Sequence, residues 1–200
     1  QDLSRGQAQV AKDLATVLGY DLDAGMFRPD SIAIASANTE IAAAMAPFVA
    51  HMDEDELEQY LAESATGADL SEAVPLRAFL DDLLARGKVL GVMTNDAEQS
   101  AREHLQRSGV LDRFAFVAGC DSGFGAKPDP DPLLAFCHAV GIEPSRTAMV
   151  GDSCHDLEAA SAAGMRRIGV LTGLALHEDL APMADVVLPD IGHIPAWLDD

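Results

Sequence analysis

The sequence predicts an α/β fold, a Rossmann-like open parallel sheet over residues 75–200, preceded by a small helical domain over residues 1–74. Three observations carry this reading. From Pro75 onward, short apolar runs alternate with stretches of helical spacing. The runs are apolar throughout instead of alternating with polar residues, as expected of parallel strands covered on both faces. Before Pro75 the apolar residues recur at helical spacing and no strand pattern stands out.

The elements follow in order. Leu76, Phe79, Leu80, Leu83 and Leu84 recur as on one helix face, and Gly87 stops that helix. Val89–Met93 reads as a strand. Ala97–Ser108 reads as a helix capped by Asn95 or Asp96 and ended by Gly109. Phe114–Val117 is the next strand, Pro132–Val140 a helix ended by Gly141, and Thr147–Val150 a strand. Leu157–Ala163 is a helix ended by Gly164, and Ile168–Leu171 and Val186–Leu188 complete the series. Parallel strands need crossovers, and ligands of such sheets bind at the carboxyl ends of the strands. In the first segment, Val10, Leu14, Val17 and Leu18 fit one helix and Ile41, Met45, Phe48 and Val49 another. Asp53 with Glu56 reads as a capping box opening a third, which carries Leu57, Tyr60 and Leu61. Ala73-Val74-Pro75 reads as a hinge.

At 48% hydrophobic, 200 residues suffice for a real core. A net charge of −20 with only 13 scattered Lys and Arg argues against a nucleic-acid partner. No apolar run approaches the roughly 20 residues of a membrane span. No signal peptide is visible, although the chain starts at Gln1 and not at Met. Cys120, Cys137 and Cys154 form no CxxC pair, so reduced thiols in a cytoplasmic protein are expected. Oligomeric state is not legible.

Three segments at strand ends carry chemistry. Gly151-Asp152-Ser153-Cys154-His155-Asp156 places two carboxylates four residues apart after an apolar strand. Asp152 can ligate Mg²⁺, and Asp156 can hold a metal-bound water or orient its neighbours; an ordinary N-capping turn would use the same residue types. Thr94-Asn95-Asp96 offers a hydroxyl and backbone amides near a helix start, a phosphate cradle or again a simple cap. Lys127, in a Gly/Pro loop, is a fixed cation for phosphoryl oxygens or a solvated surface residue. Cys154 reads as a structural thiol, His155 as part of a helix start, and Asp53–Glu56 as a solvated helix start, not a calcium loop.

Hydroxyl, lysine and paired acids in this order resemble the haloacid dehalogenase-like hydrolases, from about Leu76 to the C-terminus. Gly119–Pro128 is similar to the loop of their phosphoglycolate phosphatase-like members. The resemblance implies Thr94 and Asn95 as phosphate ligands, Thr94 and Lys127 as catalytic groups, and Asp152 and Asp156 at an Mg²⁺ site. It implies that residues 1–74 form a cap that selects the substrate. It also implies a nucleophile, the first acid of an Asp-x-Asp-x-Thr pattern, on a first strand lying centrally between the strands ending at Thr94 and Val150. Asp21-Leu22-Asp23 does not supply it, since it follows a helix pattern and has Gly25 where the hydroxyl belongs. It reads as a solvated turn. The nucleophile and its strand are therefore expected upstream of Gln1. Without that strand the sheet would lose several buried side chains, each worth about 1.5–3 kcal/mol.

The expected function is that of a Mg²⁺-dependent phosphatase of a small phosphorylated metabolite such as 2-phosphoglycolate, acting through an aspartyl phosphate. The alternatives are a metal-independent dehalogenase, a sugar-phosphate mutase, and a non-catalytic phosphate-binding or regulatory module.

Overall fold

The computed structural model describes residues 3–28, 31–36, 38–66 and 72–199. The chain divides into two compact units, Gln1–Ala68 and Asp69–Asp200.

The first unit is built on helices. α1 (Ala8–Leu18) buries Leu14 and Ala15 and ends at Gly19, whose φ of 71° is the left-handed turn that glycine adopts freely. The next feature corrects the expectation of an all-helical segment. β1 (Tyr20–Asp21) pairs antiparallel with β2 (Met26–Phe27), and the Tyr20 and Phe27 rings meet edge-on at 4.9 Å. Strands of two residues are too short to register as a period. Between them the Asp21 carboxylate accepts the N–H groups of Asp23 (2.9 Å) and Ala24 (2.8 Å), which makes the solvated turn expected there. α2 (Ile32–Ala35), α3 (Asn38–Met45) and α4 (Glu54–Thr66) follow. The Asp53–Glu56 capping box forms, with reciprocal bonds of 3.0 and 2.9 Å. Ile41, Ala42, Met45, Val49 and Leu57 close the core of this unit with Leu14.

The second unit alternates helix and strand. α5 (Leu76–Ala85) leads to β3 (Gly91–Met93), α6 (Glu98–Arg107), β4 (Phe116–Ala118), α7 (Asp131–Val140), β5 (Ala148–Gly151) and α8 (Cys154–Ala163). β6 (Arg166–Val170), α9 (His177–Leu180), β7 (Val186–Leu188) and α10 (Ile194–Asp199) complete it. Every strand pair in this unit is parallel, as the apolar runs predict. Leu133 and Phe136 of α7, Ala159 and Ala160 of α8, Met149 of β5 and the following Met165 form one buried cluster.

The strands form two sheets and not one, β3–β4 and β5–β6–β7. Between β3 and β5 lies a cavity of about 500 Å³ lined by residues of both strands.

Candidate active site

The candidate residues gather near the carboxyl ends of β3 and β5. Thr94, one residue past β3, donates its main-chain N–H to Ala118 O at 3.0 Å and so prolongs the β3–β4 ladder. Its hydroxyl accepts the N–H of Asp96 at 3.0 Å, with a longer 3.5 Å contact to the Asp96 carboxylate. The Asp96 amide is therefore turned to Thr94 and not outward as a cradle. α6 begins only at Glu98, and its first N–H is capped from a distant loop, by Asp121 Oδ1 at 2.8 Å. The expected cap by Asn95 or Asp96 is thus replaced, because Ala97 is still extended and itself holds the N-cap position.

Asn95 reaches across to the lysine loop. Its side chain donates to Lys127 O at 2.8 Å and accepts from Lys127 N–H at 2.9 Å. Oδ1 and one Nδ2–H of the amide thus engage the Lys127 backbone, so Asn95 positions the lysine. The near end of the same loop is tied to α6. Gly119 N–H donates to Ser122 Oγ at 2.9 Å, Ser122 donates to Glu98, and Arg102 closes on Glu98 at 2.6 Å. These bonds, Ser122 first and Arg102 second, hold the Glu98 carboxyl below its ordinary range. Sequence reasoning missed Glu98, Asp121 and Ser122. Their only local signal is the turn-forming Asp-Ser-Gly at 121–123.

Lys127 itself links the end of β3 to the start of α8. Its ammonium donates to Met93 O at the end of β3 (2.8 Å) and to Asp156 Oδ1 in the first turn of α8 (2.7 Å). The two side chains are 12% and 8% exposed, so this is a buried ion pair and not the solvated lysine of the alternative reading. An ammonium has three N–H donors, and these contacts place two of them.

The two acids of the GDSxxD turn divide their roles. Asp156 is buried, and its second oxygen accepts from Ser153 Oγ (2.7 Å) and Ser153 N–H (3.2 Å) in a capping box. A side chain on Gly151 would put Cβ 2.2 Å from Asp156 Cβ, so only glycine lets the acid sit under the strand end. Asp152 lies beneath the Gly173 backbone, close enough that a Cβ there would meet its carboxyl at 2.5 Å. Burial first, and the charge of Asp156 second, push the Asp152 carboxyl above its ordinary 3.8, while Lys127 opposes the shift. A divalent cation suits this donor chemistry. Carboxylate oxygen is the preferred ligand of Mg²⁺, and a crowded carboxylate beside another anion gains from a cation. Among the described residues no third His, Cys, Asp or Glu joins them as a metal-holding group.

Cys154 opens α8 with its Sγ 3.9 Å from Asp179 O, and burial raises its thiol above the ordinary value. A thiol held protonated is a poor nucleophile, in keeping with the structural reading.

A profile of the haloacid dehalogenase-like hydrolases matches residues 31–170. The chain belongs to this family. Among curated relatives, the phosphoglycolate phosphatase of Rhodospirillum rubrum is 34% identical over 161 residues, 80% of this chain and 63% of that one. The N-acetylmuramic acid 6-phosphate phosphatase of Pseudomonas aeruginosa is 37% identical over 93 residues, 46% of this chain and 41% of that one. The matched stretches thus span less than two thirds of either relative. A crystal structure of a predicted phosphoglycolate phosphatase from Haemophilus somnus 129pt superposes with a TM-score of 0.73 over 95% of this chain and 92% of that one, at 20% identity. The last likeness concerns the fold, an α/β Rossmann-like core of this hydrolase family. Among the described residues no helix is long and apolar enough to cross a membrane.

Proposed function

We propose that the protein is a Mg²⁺-dependent, cytoplasmic phosphatase of a small phosphorylated metabolite, with 2-phosphoglycolate the first substrate. The observation that carries this reading is the ammonium of Lys127. It is pinned between Met93 O and Asp156 at the strand ends, beside the Thr94 hydroxyl and the Asp152 carboxylate.

Each group then has a task. Phosphoryl transfer needs fixed positive charge where oxygen charge accumulates, in a site that does not reorganise. Lys127 supplies that charge, and Asn95 and Asp156 keep it in place. The Thr94 hydroxyl binds a phosphoryl oxygen. Mg²⁺, when bound at Asp152, would neutralise the remaining phosphate charge. An aspartate at the end of a strand between β3 and β5 attacks phosphorus, forming the acyl phosphate as the ester P–O bond breaks. A second acid protonates the leaving oxygen, and water then releases inorganic phosphate.

The named activities of the Rhodospirillum and Pseudomonas relatives support phosphate monoesters as the substrate class. The test is phosphate release by the protein expressed from its full reading frame, offered 2-phosphoglycolate and N-acetylmuramic acid 6-phosphate with Mg²⁺. Turnover of one or both, lost with chelator and lost in Lys127→Ala, is expected. A folded protein inert toward both, and toward a generic aryl phosphate, refutes the proposal.

A further inference from the structure

An acid stands where this site is to take an anion. The Asp96 carboxylate lies 3.5 Å from the Thr94 hydroxyl. That hydroxyl already accepts the Asp96 N–H at 3.0 Å, and it has a single proton to donate. A phosphoryl oxygen that takes this proton therefore comes to rest beside a carboxylate. The backbone holds the acid there. The Asp96 carbonyl accepts from Cys120 N–H at 3.1 Å, and a Cβ on Gly119 would meet Asp96 O at 2.5 Å. Among the described residues no basic side chain pairs with Asp96, whereas Asp156 has Lys127 and Glu98 has Arg102. Asp96 is also exposed, while Thr94 is only half-buried.

We propose, on the reading in which Thr94 binds a phosphoryl oxygen, that Asp96 is a specificity-determining residue. It selects phosphate monoesters by the charge that their alcohol carries next to the ester. A second anion there is disfavoured and an ammonium is favoured. In an in-line displacement the alcohol leaves on the side opposite the attacking group. The attacking group comes from the sheet, so the alcohol departs toward solvent, the side on which Asp96 is exposed. With no basic side chain to neutralise it, the carboxylate acts at full charge on whatever the alcohol brings. Two unit charges about 5 Å apart change a binding constant about 4-fold in bulk water. At the effective dielectric of a protein surface the change exceeds about 100-fold, so an exposed acid should act near 10-fold. 2-Phosphoglycolate, whose carboxylate is bonded to the ester carbon, is then turned over against a penalty set by Asp96. A phosphorylated amino alcohol gains from the same charge.

The test compares kcat/KM of the protein from its full reading frame, with Mg²⁺, toward 2-phosphoglycolate, phosphoethanolamine and an uncharged aryl phosphate. Asp96→Asn keeps the shape and removes the charge, and Asp96→Lys reverses it. Relative to the aryl phosphate, Asp96→Asn should raise 2-phosphoglycolate about 10-fold and lower phosphoethanolamine about as much. Asp96→Lys should move both ratios further in the same directions. Ratios that stay within about 2-fold of wild type overturn the proposal. So does a loss shared equally by the three substrates, since a purely structural role scales them alike. If wild type turns over none of the three, the phosphatase reading falls, and calorimetric titration with the same compounds still decides. Weaker binding of 2-phosphoglycolate than of phosphoethanolamine, inverted in Asp96→Lys, keeps Asp96 as the charge filter of a phosphate site. Equal binding, or none, overturns it.

Discussion

Stripping the charge from Lys127 should destabilise the second unit far more than loss of a surface lysine would. Exposed ion pairs are worth about 0–1 kcal/mol. Here the side chains are 12% and 8% exposed and the Nζ–Oδ1 distance is 2.7 Å. Removing one partner of a buried pair costs about 3–5 kcal/mol, because the other charge stays behind without compensation. Lys127→Met keeps the aliphatic stem and leaves the Asp156 carboxylate without its cation. Met93 O loses its donor as well, worth about 1 kcal/mol. A total near 4–6 kcal/mol is a large share of the roughly 5–15 kcal/mol that holds a domain together. Asp156→Asn leaves the Lys127 ammonium uncompensated and turns an NH₂ group toward the Ser153 N–H, so it should cost a similar amount. The double variant should show a coupling of about 1–3 kcal/mol. Urea unfolding followed by the fluorescence of Trp197, the sole tryptophan, reports on this unit. A Lys127→Met variant within about 1 kcal/mol of wild type, or strictly additive single changes, would refute a buried, energetically coupled pair.

Three further outcomes are expected. Asp152 has a raised carboxyl pKa, so the stability it contributes is present below its ordinary 3.8 and lost as pH rises through the raised value. At neutral pH, metal-free Asp152→Asn should then melt at or above wild type. Mg²⁺ should raise the melting point of wild type alone, by the equivalent of about 2.7 kcal/mol at 100-fold over its dissociation constant. A Mg²⁺ shift that survives in Asp152→Asn would remove this acid from the metal site. Gly151→Ala forces a Cβ to within 2.2 Å of Asp156 and should cost about 1–3 kcal/mol in the same urea assay; a neutral result would mean the turn can open. Glu98 is the opposite case to Asp152. Its pKa is lowered by Ser122 and Arg102, so its contribution is present above its ordinary 4.5 and lost as pH falls through the depressed value. The stability gap between wild type and Glu98→Gln, measured by denaturation across pH, should narrow in acid, and a gap constant down to about pH 3 would contradict the network.

Much of the second unit was legible because its physics is local. Parallel strands covered by helices need unbroken apolar runs, and Gly141 and Gly164 end α7 and α8 where the periodicity stops. The Asp53–Glu56 box and the Ser153–Asp156 cap are contacts over three residues, and such contacts are written in spacing. The β1–β2 hairpin was not legible, because two-residue strands have no period and depend on the meeting of Tyr20 and Phe27.

By itself the sequence determined the α/β class, the parallel strands of the core, and the residue types that meet at their ends: Thr94, Asn95, Lys127, Asp152 and Asp156. Tertiary structure alone decided how those residues share the work. Asn95 and Lys127 are 32 positions apart, and Lys127 and Asp156 are 29 apart. No local pattern encodes that Asn95 holds the lysine backbone, that Asp156 takes its ammonium, or that Asp152 is left as the crowded carboxylate. These assignments follow from where the loop after β4 returns across the sheet, and packing over the whole unit sets that path. The opening between β3 and β5 is of the same kind, since edge pairing is a relation between distant strands that neither strand's residues specify.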